Sequence, residues 1–86
     1  MAIKLPGINN KPKAQVNLTS LGRTKIDQED VDSRTAAGKV LWFLKDHGQS
    51  NLQEIADNEM VSMSYWKVKA ICDKYTDEKW GWIEWV

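Results

Sequence analysis

Residue types that commonly carry catalysis or bind metals are scarce in this sequence. Its 86 residues contain one cysteine, Cys72, and one histidine, His47. A single cysteine excludes an internal disulfide bond and lacks the repeated ligand spacing of a zinc site. His47 ends a segment with helical periodicity, where positive charge is favourable, so we interpret it as a helix-end residue. We interpret Cys72 as a small buried thiol, because it falls on the apolar stripe of another predicted helix.

The acidic residues also lack a pattern typical of a site. Four of them lie close together in the segment DQEDVDS: Asp27, Glu29, Asp30 and Asp32. Carboxylates can bind a hard cation, but this segment lacks the glycine and the fixed spacing of a calcium loop. The sequence also contains no glycine-rich run that could hold a phosphate group. We therefore predict no enzyme activity, no metal site and no cofactor.

Positive charge is concentrated at the start of the chain. The net charge of the whole chain is zero, yet residues 1–25 contain five basic and no acidic residues, whereas residues 26–86 contain seven basic and twelve acidic ones. Pro6, Gly7 and Pro12 disfavour regular structure, so we predict a flexible basic arm over residues 1–13 and one domain over residues 14–86. The arm either contacts phosphates or is a soluble leader.

Secretion and membrane insertion are not expected from the sequence. The N-terminal segment contains lysine but lacks the apolar run of a secretory signal. No stretch of the chain approaches the length of apolar sequence that spans a bilayer. Together with the single cysteine, these features predict a cytoplasmic protein.

Apolar spacing predicts a first helix over the segment RTAAGKVLWFLKDHG. Ser33 or Asp32 can cap its N-terminus, and Gly48 suits the left-handed residue that ends a helix. Gly38 lies inside the segment, where it would permit the close approach of another backbone. One face of the helix carries the apolar residues expected to be buried: Ala37, Val40, Leu41 and Leu44.

Two further helices are predicted downstream. The segment SNLQEIADNE offers two overlapping capping boxes, Ser50 with Gln53 and Asn51 with Glu54. After a turn, a third helix begins near Ser64 and ends near residue 75. Its apolar spacing predicts a buried stripe composed of Val68, Ile71, Cys72 and Tyr75.

Two segments have the alternation of half-buried strands. The first is Ala14–Leu21, which we expect to be followed by a turn and a polar connector. The second is the C-terminal KWGWIEWV, in which alternation predicts Ile83 and Trp85 as core and Trp80 and Trp82 as a second surface. Because a lone strand leaves its backbone groups unpaired, we predict that the N-terminal and C-terminal strands pair with each other.

The order of these elements resembles the winged helix-turn-helix family of DNA-binding domains. The similarity covers residues 33–86 and is carried by the segments VLWFLKDHG, NLQEIADNE, VSMSYWKVKAIC and WGWI. The family's Ile-Ala pair in the short helix matches Ile55 and Ala56, and its Gly-x-Ile exit matches Gly81 and Ile83. The segment LTSLGRTKI is similar to a Leu-Thr-x-x-Gly segment found beside winged helices in small archaeal and viral proteins.

The resemblance implies a mainly α fold with three helices and a short two-stranded sheet. Members of the family continue with a second wing strand after a basic hairpin, and this chain departs from that pattern. We expect the wing to be truncated or to be completed by the N-terminal strand, so wing contacts with DNA are not carried over.

The resemblance also implies that the chain is a DNA-binding protein and a small transcriptional regulator. The third helix would read the major groove of double-stranded DNA, since the groove accepts one helix. The side chains expected to contact bases or phosphates there are Ser64, Tyr65, Trp66, Lys67, Lys69, Ala70 and Lys74. Tyr65 and Trp66 would meet thymine methyl groups or sugar. Further backbone or minor-groove contacts are expected from Lys11, Lys13, Arg23 and Lys25.

Other interpretations of the same residues remain open. The lysines of the third helix are equally typical of a solvated face, and the acidic residues Glu54, Asp57 and Glu59 would repel phosphates if they faced the duplex. Trp66 is as compatible with a core or dimer position as with DNA. The alternative function is a protein-interaction module, or a homodimer formed through Trp66, Trp80 and Trp82.

Overall fold

The computed structural model describes residues 14–28 and 31–86. The predicted arm, with Lys11 and Lys13, lies outside these residues. The elements follow one another as β1 (Gln15–Leu18), α1 (Ser20–Asp27), α2 (Ala36–His47), β2 (Ser50–Asn51), α3 (Leu52–Asp57), α4 (Tyr65–Thr76) and β3 (Ile83–Trp85). The described chain is therefore a small domain of helices with a small antiparallel sheet, as predicted at this coarse level.

The sheet has three strands in the order β2-β1-β3, and both pairings are antiparallel. Strand β1 pairs with β3 in a register that sets Asn17 opposite Glu84, which confirms that the N-terminal and C-terminal strands pair. The prediction of only two strands was wrong. Ser50 lies opposite Val16 and adds β2 as a third strand, a short pairing that propensity does not reveal.

Helix α1 replaces the turn that was predicted after the first strand. The strand ends at Leu18, and the Thr19 hydroxyl accepts a hydrogen bond from the Gly22 N–H at 3.1 Å, which caps the new helix. Gly22 and Ile26, four residues apart, are both buried. The segment is helical because this single apolar edge packs on β1 and α2, so the described residues contain four helices instead of three.

Helix α2 begins two residues later than the predicted cap Ser33 would place it, and three later than Asp32 would. Its N-cap is Thr35, whose hydroxyl accepts from the Gly38 N–H at 2.9 Å. Asp32 instead accepts hydrogen bonds from Arg34, which lower the pKa of the carboxyl group. The predicted end of the helix is confirmed, since Gly48 is the C-cap with a φ of 81°.

The helix caps of α3 and α4 agree closely with their predictions. Of the two possible capping boxes, the structure forms the one in which Asn51 and Glu54 bond to each other's backbone N–H groups. Helix α4 is capped by Ser64, whose hydroxyl accepts from the Lys67 N–H at 3.1 Å. Its buried residues are Val68, Cys72 and Tyr75, with Ile71 partly buried.

A single core joins all four helices to the sheet. Its fully buried members come from every layer and include Val16, Ile26, Val40, Leu44, Ile55, Val68 and Ile83. Helix α4 packs against α2, α3 and β3, whereas α1 packs mainly on α2 and β1. This arrangement leaves one long side of α4 facing away from the core.

The C-terminal tryptophans are arranged differently from the prediction. Ile83 is buried as expected, but Trp85 is 42% exposed, so its assignment to the core was wrong. Trp85 lies opposite Val16 near the end of the sheet, where no helix covers it fully. Trp82 is partly buried against the core and stacks on Tyr75, with ring centroids 5.1 Å apart, because the bend at residues 77–81 turns it inwards.

Burial of Cys72 makes the stability of the domain sensitive to alkaline pH. Loss of solvent, together with the negative charge of Asp73, raises the pKa of the thiol from 9.0 to about 12. The folded state therefore keeps the proton that the unfolded chain loses, and this contribution to stability declines as pH rises from about 9 towards 12. We expect the wild type to lose roughly 1 kcal/mol per pH unit more than Cys72→Ala in urea unfolding across that range. Parallel slopes for the two proteins would contradict this.

Candidate nucleic-acid interface

The outward side of α4 is the candidate interface. Successive helical residues are about 100° apart, so Trp66, Ala70 and Lys74 lie opposite the buried stripe. All three are exposed, and Trp66 is 73% exposed. The interpretation of Trp66 as a core residue was therefore wrong. A helix of about 10–12 Å diameter with one open side has the dimensions needed to enter a major groove.

The N-terminus of α4 is suited to an anion. Its first turn contains no acidic residue. Ser64 is exposed and uses an oxygen lone pair for the cap, which leaves its O–H group able to donate. Because the first backbone N–H groups of a helix carry partial positive charge, this end favours a phosphate.

The three lysines of α4 have different surroundings. Lys67 is exposed, and its ammonium group makes no ion pair with any described residue. The Lys69 ammonium lies 2.8 Å from Asp73, and this hydrogen bond raises the pKa of the lysine. The Lys74 ammonium lies over two aromatic rings, 5.3 Å from the centroid of Tyr75 and 5.1 Å from that of Trp80. Of these three lysines, Lys67 alone can bind a phosphate without first leaving another partner among the described residues.

Tyr65, the first residue of α4, borders a cleft of about 280 Å³. Tyr65 and Trp66 meet edge to face, with ring centroids 5.1 Å apart. Tyr65 also lines the cleft, together with Ala14 and the beginning of α3. The described chain therefore starts beside the N-terminal end of α4, a proximity that the sequence did not reveal.

The remaining predicted contact residues lie on a different element. Arg23 and Lys25 belong to α1, where Arg23 is exposed and Lys25 is half-buried. Since α1 packs mainly on α2 and β1, the fold does not join these two residues to the exposed side of α4.

Two contacts at the site were missed by the sequence analysis. The ion pair between Lys69 and Asp73 could have been recognised from its i, i+4 spacing on a helix. The rings that hold Lys74 could not, because Trp80 reaches Tyr75 only through the bend after α4. Both contacts restrain lysines that were predicted to contact DNA.

The acidic residues near the interface are exposed, but two are engaged locally. The Glu54 carboxylate caps α3, and the Asp57 carboxylate accepts a hydrogen bond from Gln53 at 2.8 Å. Glu59 is exposed in the turn between α3 and α4. Their negative charge repels the phosphates of a duplex. The affinity of the interface for DNA therefore depends on whether attraction by the lysines exceeds this repulsion.

Residues 14–28 and 31–86 contain no group of three or more histidine, cysteine or acidic residues that could hold a metal ion. Within the same ranges, no helix combines the length and the apolar character required to cross a membrane. Comparison with family models, with curated proteins and with solved structures found no match to this chain.

Proposed function

We propose that this chain is a DNA-binding protein that inserts α4 into the major groove of double-stranded DNA, as a small transcriptional regulator would. The observation that carries the proposal is the open side of α4, where Trp66, Lys67, Ala70 and Lys74 are exposed together. Base edges and phosphates lie within reach of such a helix. The capped N-terminus adds a site that attracts phosphate.

The order of the elements also supports a winged-helix interpretation of the fold. Helices α2, α3 and α4 follow each other with β3 after the last, as the resemblance implies. Strand β1 lies between β2 and β3 and supplies the strand that the resemblance leaves missing. On this interpretation the N-terminal strand completes the wing sheet.

Phosphate contacts from the predicted basic arm would reinforce the same interface. Ala14 and Tyr65 line one cleft, so the chain enters the domain beside the start of α4. Lys13 precedes Ala14 directly and Lys11 is three residues away, which a fully extended chain spans in about 10 Å. We expect these two lysines to add contacts with phosphates flanking the groove that α4 would occupy.

A salt titration of binding to duplex DNA tests the proposal. Fluorescence anisotropy of a labelled duplex is measured with the full chain at a series of salt concentrations. We expect affinity to fall steeply with salt, because each phosphate neutralised by a basic side chain releases counterions. An absence of binding near 50 mM salt, or an affinity that ignores ionic strength, would rule the proposal out.

Breaking the ion pair between Lys69 and Asp73 is expected to strengthen DNA binding. Asp73 holds the Lys69 ammonium and adds a negative charge to the same face. Asp73→Asn removes both effects, and we expect about tenfold tighter binding at low salt, close to the value of one added phosphate contact. Asp77→Asn serves as the control. It removes an equal negative charge in the turn after α4, at a position that does not pair with Lys69. Equal effects of the two substitutions would argue against local competition by Asp73.

A second candidate function is a protein-interaction module, favoured by the outer edge of β3. The Trp82 carbonyl accepts from the Thr19 N–H, and the Val86 N–H donates to the Gln15 carbonyl. Because antiparallel strands alternate their bonding direction, the backbone groups of the intervening Ile83 and Trp85 point away from β1. Exposed Trp85 and Val86 flank this edge, which is unpaired among the described strands.

The oligomeric state separates this second candidate from the first. Sedimentation equilibrium over a broad concentration range would reveal a homodimer formed through the edge or through Trp66, Trp80 and Trp82. Acrylamide quenching of tryptophan fluorescence would then decrease on association, since exposed indoles become covered. A monomer with unchanged quenching at every concentration would remove the support for self-association.

A further inference from the structure

The outward side of α4 has an apolar centre with charged borders. Trp66 and Ala70 are four residues apart, so they lie about 40° from each other and form one continuous strip. Lys67 and Lys74 are seven residues apart and line one border of the strip. Lys69, paired with Asp73, lines the other. Apolar surface therefore occupies the part of the helix that would point most directly at the floor of a groove.

Among the side chains that make paired hydrogen bonds with bases, the exposed side of α4 presents lysine alone. Its sequence, YWKVKAICDKYT, contains no arginine, asparagine or glutamine. Arginine reads guanine and the two amides read adenine through paired hydrogen bonds. Lysine lacks the planar fork of arginine and acts as a point charge, which suits phosphates. The apolar strip is thus the main surface left for distinguishing base pairs.

The feature of the major groove that matches an apolar surface is the C5 methyl group of thymine. We propose that Trp66 and Ala70 recognise thymine methyl groups, so that the chain prefers major-groove sites rich in thymine. This inference rests on the proposed insertion of α4 and adds the chemistry by which bases are read. Trp66 supplies most of the contact area, because it is 73% exposed and has only Tyr65 as a ring neighbour on α4.

The size of the preference follows from the burial of methyl groups. Removing one buried methyl group weakens an apolar contact about fourfold. A strip one helical turn long reaches about two methyl groups, so we expect a difference of roughly 15-fold between DNA with and without them. Phosphate contacts are unaffected by this change, so the salt dependence should stay the same.

The test compares two duplexes that differ only in the methyl group. One is an A·T duplex of about 20 base pairs, and in the other every thymine is replaced by deoxyuridine, which preserves charge and hydrogen-bonding groups. Affinity is measured by anisotropy for wild type, Trp66→Ala and Met60→Ala. Met60 is the control, because it is a large exposed apolar residue outside α4. Circular dichroism verifies that each variant is folded.

We expect wild type and Met60→Ala to prefer the thymine duplex roughly 15-fold and Trp66→Ala to lose most of that preference. Equal wild-type affinity for both duplexes, with a normal salt dependence, would overturn the inference and leave the proposed function intact. A preference that persists in Trp66→Ala would also overturn it, because the difference would then come from the duplex. Binding to neither duplex would overturn both proposals.

Discussion

Replacing Lys67 and Lys74 together with alanine is expected to weaken DNA binding roughly 60-fold at about 0.1 M salt and to lower the salt slope by about two units. Each phosphate contact contributes about 0.9 to the slope of log affinity against log salt, which near 0.1 M corresponds to about eightfold in affinity. Both side chains are exposed at the border of the open side of α4, so their removal leaves the core unchanged. Anisotropy titrations over several salt concentrations measure both quantities.

The single substitutions should not be equal. Lys67 has no ion pair among the described residues, whereas the Lys74 ammonium must leave the rings of Tyr75 and Trp80 to reach a phosphate. A cation over exposed aromatic rings is stabilised by about 0.5–1 kcal/mol, and that energy is lost when the ammonium moves. We therefore expect Lys67→Ala to have the larger effect.

The matched control removes the same charge elsewhere. Arg34 and Lys39 lie at the start of α2, and replacing both with alanine lowers the net charge by two without altering α4. We expect this double variant to retain most of the affinity and the wild-type salt slope. A loss as large as that of the α4 variant would mean that binding follows net charge and does not involve the groove-facing side of α4.

The largest expected effect on stability comes from Gly38→Ala. A Cβ atom at this position would lie 1.8 Å from the carbonyl oxygen and 2.7 Å from the carbonyl carbon of Asp32, so backbone must move. The approaching segment is held in place by the Thr35 N–H, which donates to the Asp32 carbonyl, and by the Trp42 indole, which donates to the Val31 carbonyl. We expect the free energy of unfolding to fall by about 2 kcal/mol, after the gain of about 1 kcal/mol in helix propensity.

Thermal unfolding measures this effect directly. For a domain of this size, about 2 kcal/mol corresponds to a decrease in Tm of roughly 10 °C. Gly81→Ala is the control, since a Cβ atom there meets nothing within 4 Å and the φ of 63° costs only about 1 kcal/mol. A Gly38→Ala protein as stable as wild type would show that residues 31–35 can move away from α2 at little cost.

Local features of α3 and α4 were predictable because they depend on neighbouring residues. The Asn51–Glu54 capping box and the Ser64 cap each involve residues three apart, which bond within a single helical turn. The Gly38 position is a related case, since a glycine inside a helical pattern signals a close approach. Which backbone approaches it, that of Asp32, depends on the path of the connecting segment.

Elements whose residues have little intrinsic preference were not predictable in the same way. Strand β2 has two residues and exists only because Ser50 reaches Val16, which is distant in sequence. Helix α1 contains Thr24 and Gly22, which are weak helix formers, and it is stabilised by packing on α2 and β1. Such segments adopt the structure that their tertiary neighbours impose.

The buried side of α4 could be assigned before the fold was known, because a period of 3.6 residues places Val68, Cys72 and Tyr75 on one side of the helix. Tertiary structure alone decided what surrounds the exposed lysines and tryptophans. The bend after α4 brings Trp80 to Lys74, and the central position of β1 brings Ala14 beside the start of the helix. Periodicity describes one element at a time, whereas these contacts join residues from different elements, and only the folded chain brings them together.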